Sequence, residues 1–304
     1  MAIKKLDELF DMVKSQGKKR LVAAYAVDDH TICAVSKAVD LGIVDATLVG
    51  DEASIRKVCE KEKINPDKFK IVQESVDVKA AAKAVQLINE GEGDLLMKGL
   101  VSTDKYMRAI LNKEAGLMPG PKAMLTHIAL LENPFYHKLL VVSDMAIIPA
   151  PDLKQKTAIC NYLISTAKSV GIDNPKVAVL AATEQVSTGM QACVDGALLA
   201  QMANRGQIKG GLVDGPLALD VAIDKEACEI KGVGGPVAGD ADCLLFPNIE
   251  AGNVFYKAHT KFCKGEVAAM VVGAKVPCVL SSRGDSINTK LYSIALAALS
   301  CRKK

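Results

Sequence analysis

Short apolar runs of strand character alternate with longer helical patterns along almost the whole chain, and that alternation admits few architectures. A strand followed by a helix and then another strand pairs in parallel, because the crossover returns the chain to the same end of the sheet. Residues 21–25, 46–49, 69–72, 94–97, 139–143, 177–181, 211–213, 242–246 and 278–281 read as strands. Helical patterns occupy 29–41, 52–61, 76–89, 103–112, 152–170, 190–204, 251–264 and 287–300. Several strand runs are apolar on both faces, as a sheet covered by helices on both sides requires. The fold class is α/β with a largely parallel sheet.

Proline and glycine at 118–122 (MPGPK), then prolines at 148–152 (IPAPD), interrupt the series. The expected division is a first domain of residues 1–120 plus 269–304, discontinuous because the last strand and helix return to it, and a second domain of residues 121–268. A length of 304 residues suits two α/β/α domains of ordinary size.

Composition removes several function classes. Lysine plus arginine number 38 and aspartate plus glutamate 35, so the net charge of +3 is too small for a nucleic-acid surface. Tryptophan is absent and aromatics make up only 4%, which leaves few platforms for stacking bases. No apolar run reaches the roughly 18 residues of a membrane span, and the amphipathic, early-acidic start does not read as a signal peptide. The nine cysteines, at 33, 59, 160, 193, 228, 243, 263, 278 and 301, are odd in number and form no C-x-x-C pair. They read as reduced thiols in a cytoplasmic protein. Histidines 30, 127, 137 and 259 make no clustered ligand pattern, so no metal is expected.

In open α/β sheets ligands gather where strand carboxyl ends run into helix N-termini. Residues 94–104 (DLLMKGLVSTD) are such a junction: an apolar strand, Lys98, a turn at Gly99, then Ser102 and Thr103 opening a helix that carries Arg108. Hydroxyls, helix-end N–H groups and a guanidinium fork make a cradle for phosphate or carboxylate. The plainer alternative is an N-cap at Ser102 with Lys98 and Arg108 in solvent. Residues 276–286 (VPCVLSSRGDS) form a second junction, with Ser282 and Arg283 at a strand end. There Asp285 or Ser286 could simply cap the last helix, and Arg283 could pair with an acid.

A third stretch joins the glycine-rich run 232–239 to residues 242–257, which carry Asn253, Tyr256 and Lys257 on or near a helix. It precedes a strand and lacks the dinucleotide fingerprint, which weighs against a dehydrogenase. Asp214 reads as a strand-end turn residue. His127 and His259 read as structural or surface groups, and Cys160, Cys193 and Cys263 as small residues of apolar helices.

These junctions together resemble the phosphate acetyl/butyryltransferase family, most specifically in residues 236–248 (PVAGDADCLLFPN), 252–257 (GNVFYK) and 282–284 (SRG), in that order. The form SSRGDS with Lys290 following resembles the butyryl branch. The resemblance implies two α/β domains of the isocitrate/isopropylmalate dehydrogenase-like fold with a cleft between them. It implies conversion of acyl-CoA and phosphate to acyl phosphate and CoA by direct transfer, with coenzyme A as substrate, no permanently bound cofactor, and a homodimer or higher homo-oligomer. Ser282 and Arg283 would then be catalytic, beside the CoA thiol. Ser102, Thr103, Arg108 and Lys98 would bind phosphate, and Asn253, Tyr256, Lys257 and Asp285 are candidates for the CoA or acyl site. One position departs from the family: the acetyl enzymes carry an aspartate, taken as the thiol base, seven residues after the serine of Ser-Arg-Gly, and Thr289 stands there. Arg283 can lower a thiol pKa of about 8.5, and Asp285 is the nearest acid. The alternatives are a phosphate acetyltransferase and a non-catalytic relative that binds CoA or acyl phosphate.

Overall fold

A computed structural model describes residues 2–280 and 285–301. Its elements, in chain order, begin with α1 (Glu8–Gln16), β1 (Lys19–Ala24), α2 (Asp29–Asp40), β2 (Val44–Gly50), α3 (Glu52–Lys61), a 3-10 turn (Pro66–Lys68) and β3 (Phe69–Gln73). α4 (Asp77–Asn89), β4 (Leu95–Lys98) and α5 (Thr103–Ile110) follow. Next come β5 (Thr126–Glu132), β6 (Leu140–Ser143), α6 (Leu153–Ser169), β7 (Lys176–Leu180), α7 (Gln191–Asn204) and β8 (Leu212–Leu217). α8 (Leu219–Ile223), α9 (Lys225–Lys231), β9 (Cys243–Leu245) and α10 (Ile249–Lys261) lead to β10 (Glu266–Val272), β11 (Cys278–Val279) and α11 (Ile287–Leu299).

The chain divides into two compact units, one of residues 7–125 with 268–304 and the other of residues 1–6 with 126–267. In the first, the strand order is β3-β2-β1-β4-β11-β10. β1 pairs in parallel with β2 and with β4, Leu21 opposite Leu95 and Ala24 opposite Lys98. β11 lies parallel to the other side of β4, and β10 antiparallel to β11. Every residue of β4 is buried, as are the last four of β1, which fits a sheet with helices on both faces. α11 buries nine of its thirteen residues and closes over this core.

In the second unit the order is β5-β6-β9-β7-β8. β5 and β6 pair antiparallel, and the remaining pairs are parallel. A buried ion pair between Lys156 of α6 and Asp195 of α7, each with a side chain only 4% exposed, ties these two helices together.

The expected α/β class holds, with an antiparallel pair in each unit beside the parallel ones, and several local readings are corrected. β5 and β10 lie where no strand was read, and each makes an antiparallel pair. β8 runs on to Leu217, so Asp214 is inside a strand and not at its end; its Oδ1 accepts the Gly215 N–H at 2.9 Å. α10 stops at Lys261, which puts Cys263 beyond the helix. α8 and α9 occupy a stretch without an assigned element.

Candidate active site

The order of the first unit's sheet turns back at β1. From β1 the chain steps outward to β2 and β3, then crosses to place β4 on β1's other side. Loops leaving the carboxyl ends of β1 and β4 therefore diverge, and such a switch point is where open α/β sheets leave a ligand crevice. A cavity of about 210 Å³ lies there, lined by Asp28, Asp29, His30, Gly99, Leu100 and Lys290.

Glycine at 99 is a steric requirement. A Cβ at that position would stand 2.4 Å from the Tyr25 carbonyl oxygen and 2.9 Å from that of Ala24. The close approach lets the N–H groups of Gly99 and Leu100 donate to those same two carbonyls, so the strand pairing continues past the end of β4. Tyr25 itself is left-handed, with φ 54°. Lys98, only 3% exposed, turns its ammonium onto the carbonyls of Gly99 and Val101, each at 3.1 Å, and so braces the turn.

Ser102 is the N-cap of α5, its hydroxyl accepting the Lys105 N–H, and Thr103 is the first helical residue. Arg108 lies on the last turn, exposed, with its Nε 3.1 Å from Asp104. The buried hydroxyl of Tyr106 donates to the carbonyls of Leu96 and Val279, which fixes α5 against β4 and β11. Burial, with Cys278 alongside, pushes the Tyr106 hydroxyl well above its ordinary pKa and keeps it a donor.

Opposite this loop, Asp28 caps α2, its Oδ1 accepting the Thr31 N–H at 2.9 Å, while its buried Oδ2 has no hydrogen-bond partner among the described residues. Lys290, on α11, is 3% exposed. Desolvation lowers its pKa, opposed by the carboxylates of Asp28 and Asp285. Ser286, not Asp285, caps α11 by accepting the Thr289 N–H, and the Thr289 hydroxyl lies 3.1 Å from the Ser286 hydroxyl. Asp285 presents its carbonyl to the His30 ring. Ser282 and Arg283 lie outside the described residues.

In the other unit, Asn253, Tyr256 and Lys257 share α10, whose first turn follows the carboxyl end of β9. Asn253 donates to the Met145 carbonyl, and the Lys257 ammonium lies 5.4 Å from the centre of the Tyr256 ring. Gly252 explains why the helix can approach so closely: a Cβ there would be 2.2 Å from the Asp144 carbonyl oxygen. The buried Asp144 carboxylate accepts from the N–H groups of Ala146, Ile147 and Ile148 and from the Thr126 hydroxyl, which organises the loop after β6. His127 is buried beside Met145, and His259 is buried between Asn133 and the Glu266 carbonyl, both structural placements.

Asp28 and Tyr106 escaped the sequence reading, and Lys290 entered it only as part of a motif. The available signal was a lysine four residues after the Ser286 cap, the only charged residue of α11. Among the described residues, no group of three or more His, Cys, Asp or Glu side chains converges as a metal site. No helix among them is long and apolar enough to cross a membrane.

Residues 69–298 match the family described as phosphate acetyl/butaryl transferase. A phosphate butyryltransferase of Clostridium acetobutylicum is 45% identical over 297 residues, 98% of either chain. A phosphate acetyltransferase of Thermotoga maritima is 39% identical over 297 residues, 97% of this chain and 99% of that one. Among solved structures, a branched-chain phosphotransacylase from Enterococcus faecalis V583 superposes with a TM-score of 0.81 at 28% identity, covering 94% of this chain and all of that one.

Proposed function

Because the chain belongs to the phosphate acetyl/butaryl transferase family, we propose that it is a phosphate butyryltransferase, moving a butyryl or similar short acyl group between coenzyme A and phosphate. The observation that carries this reading is the cavity at the carboxyl ends of β1 and β4, with β4 next to β11, the strand that precedes Ser282, Arg283 and Gly284 in the sequence. Transfer is direct, in a ternary complex, with CoA entering as substrate. Toward acyl-CoA, the thiolate attacks the acyl carbonyl beside Arg283, and Ser282 or a backbone N–H stabilises the oxyanion. Phosphate leaves toward Ser102, Thr103 and Arg108, whose loop Lys98 braces. Asn253, Tyr256, Lys257 and Asp285 serve the CoA and acyl portions. The same reading carries a homodimer or larger homo-oligomer, the isocitrate/isopropylmalate dehydrogenase plan for the fold, and a cytoplasmic setting, which nine free cysteines suit.

The test is phosphate-dependent release of CoA from acetyl-, propionyl- and butyryl-CoA. Highest kcat/KM with butyryl-CoA is expected; a preference for acetyl-CoA moves the chain to the acetyl branch, in keeping with its 39% identity to an acetyltransferase. No release from any of the three by a folded protein that still binds CoA sinks the transfer reaction. In the active enzyme, Arg108→Ala is expected to lower kcat/KM by about 10²- to 10³-fold, and turnover near wild type would remove Arg108 from the site.

A further inference from the structure

We propose that Lys290 is the proton-transfer residue for the coenzyme A thiol, occupying the functional place that Thr289 cannot fill. The inference rests on the acyl-transfer reading above. Thr289 has no ionisable group at working pH, and its hydroxyl is in contact with the cap of its own helix. The next residue lines the cavity at the switch point.

Among the described residues, Asp28, Asp29 and His30 line that cavity beside Lys290. A thiol, neutral until it gives up its proton, can meet a buried amine there without a charge of its own to desolvate.

Toward acyl-CoA, the lone pair of the neutral amine takes the thiol proton, and the sulfur electron pair forms the bond to the carbonyl carbon. The bond from that carbon to the bridging oxygen then breaks, and the phosphate departs with its electron pair. The new ammonium releases its proton to the departing phosphate or to water. In reverse, the ammonium protonates the departing thiolate. An ordinary lysine lies about two pKa units above a thiol, a carboxylate more than four below, and desolvation brings Lys290 down toward the thiol. Among the described residues, the titratable groups that line the cavity with Lys290 or act on its charge are Asp28, Asp29 and His30 at the start of α2 and Asp285 before α11. The orphan Oδ2 of Asp28 gives the ammonium form an electrostatic counterpart.

Three variants of the full chain test the assignment in the acyl phosphate plus CoA direction. Lys290→Met keeps the volume and stays folded, and Lys290→Arg keeps a charge that cannot be given up. Both are expected to lose about 10²- to 10⁴-fold in kcat together with the wild-type rise of rate with pH. Methylamine or ethylamine is expected to restore Lys290→Ala in proportion to the basicity of the amine. Near-wild-type turnover in Lys290→Arg, or an unchanged kcat and pH profile in Lys290→Met, overturns the assignment while the transferase reading stands. A wild-type enzyme inactive with every acyl donor fails the transferase reading itself, and Lys290 with it.

Discussion

Burial acts on Lys290 and Asp240 with opposite outcomes. Lys290 is lowered by desolvation with only partial opposition from Asp28 and Asp285, so its charged form is the expensive one. For Asp240, burial alone would raise the pKa, but hydrogen bonds from Lys176 at 2.7 Å and Lys138, with His137 alongside, hold it well below the usual carboxylate range. A carboxylate with a depressed folded-state pKa contributes its stability above the unfolded value near about 4 and loses it as pH falls through the folded value. Asp240→Asn is therefore expected to lower stability by about 1–2 kcal/mol at pH 7. The gap to wild type should shrink in urea melts taken at successively lower pH below about 4; a gap independent of pH would count against the charge network. At this scale sequence is informative where chemistry is local. The sequence narrows the cap of α11 to Asp285 or Ser286, and Ser286 makes it, whereas the burial of Lys290 depends on α2 and on the β1 and β4 loops, about two hundred residues or more away in sequence.

At the scale of elements, the junction from β4 to α5 was legible because each part is short-range: an apolar run, a glycine turn, a Ser-Thr helix start. Gly99 makes that junction specific, and its substitution isolates the junction from the rest of the fold. Gly99→Ala must displace backbone at Ala24 and Tyr25, at a cost of about 1–3 kcal/mol. It should also lower kcat by at least about tenfold, since small displacements at a reacting centre are costly. Thermal melting with parallel kinetics checks both, and a variant matching wild type in each would mean that the loop accommodates the methyl group freely. β5 and β10 were not legible. The β5 sequence THIALLE is rich in residues that also favour helix, and β10, EVAAMVV, is an apolar run too short for periodicity to distinguish from the tail of α10. Both owe their strand character to antiparallel partners, β6 and β11, which no local window contains.

For the whole molecule, alternation of strands and helices was enough to give the α/β class, and three ordered motifs were enough to give the family. Pairing hand and sheet order were not accessible, because they depend on which strands become neighbours after long separations: β4 meets β11 across about 180 residues of chain. Residues 268–304 complete the unit that starts at residue 7. α11 packs on α2 and α1, and β11 covers the edge of β4. Deleting residues 268–304 is expected to abolish cooperative melting of residues 7–125 while leaving protected amides in β6, β7 and β9 of the other unit. Hydrogen exchange reads both outcomes, and retained protection in β1 and β4 would show that the return segment is dispensable for that core.

That return also sets the order in which the protein can be made. On the ribosome, β1, β2, β3 and β4 emerge first, but the strand that covers β4's edge and the helix that carries Lys290 emerge after the whole of residues 126–267. At about 5–20 residues per second, residues 126–267 alone hold that edge open for roughly seven to thirty seconds, a period in which an unpaired parallel strand is exposed to wrong partners. A chain that stops early would carry β1 to β4 without β11 and α11, and the unit of residues 7–125 would be left without the segment that completes it.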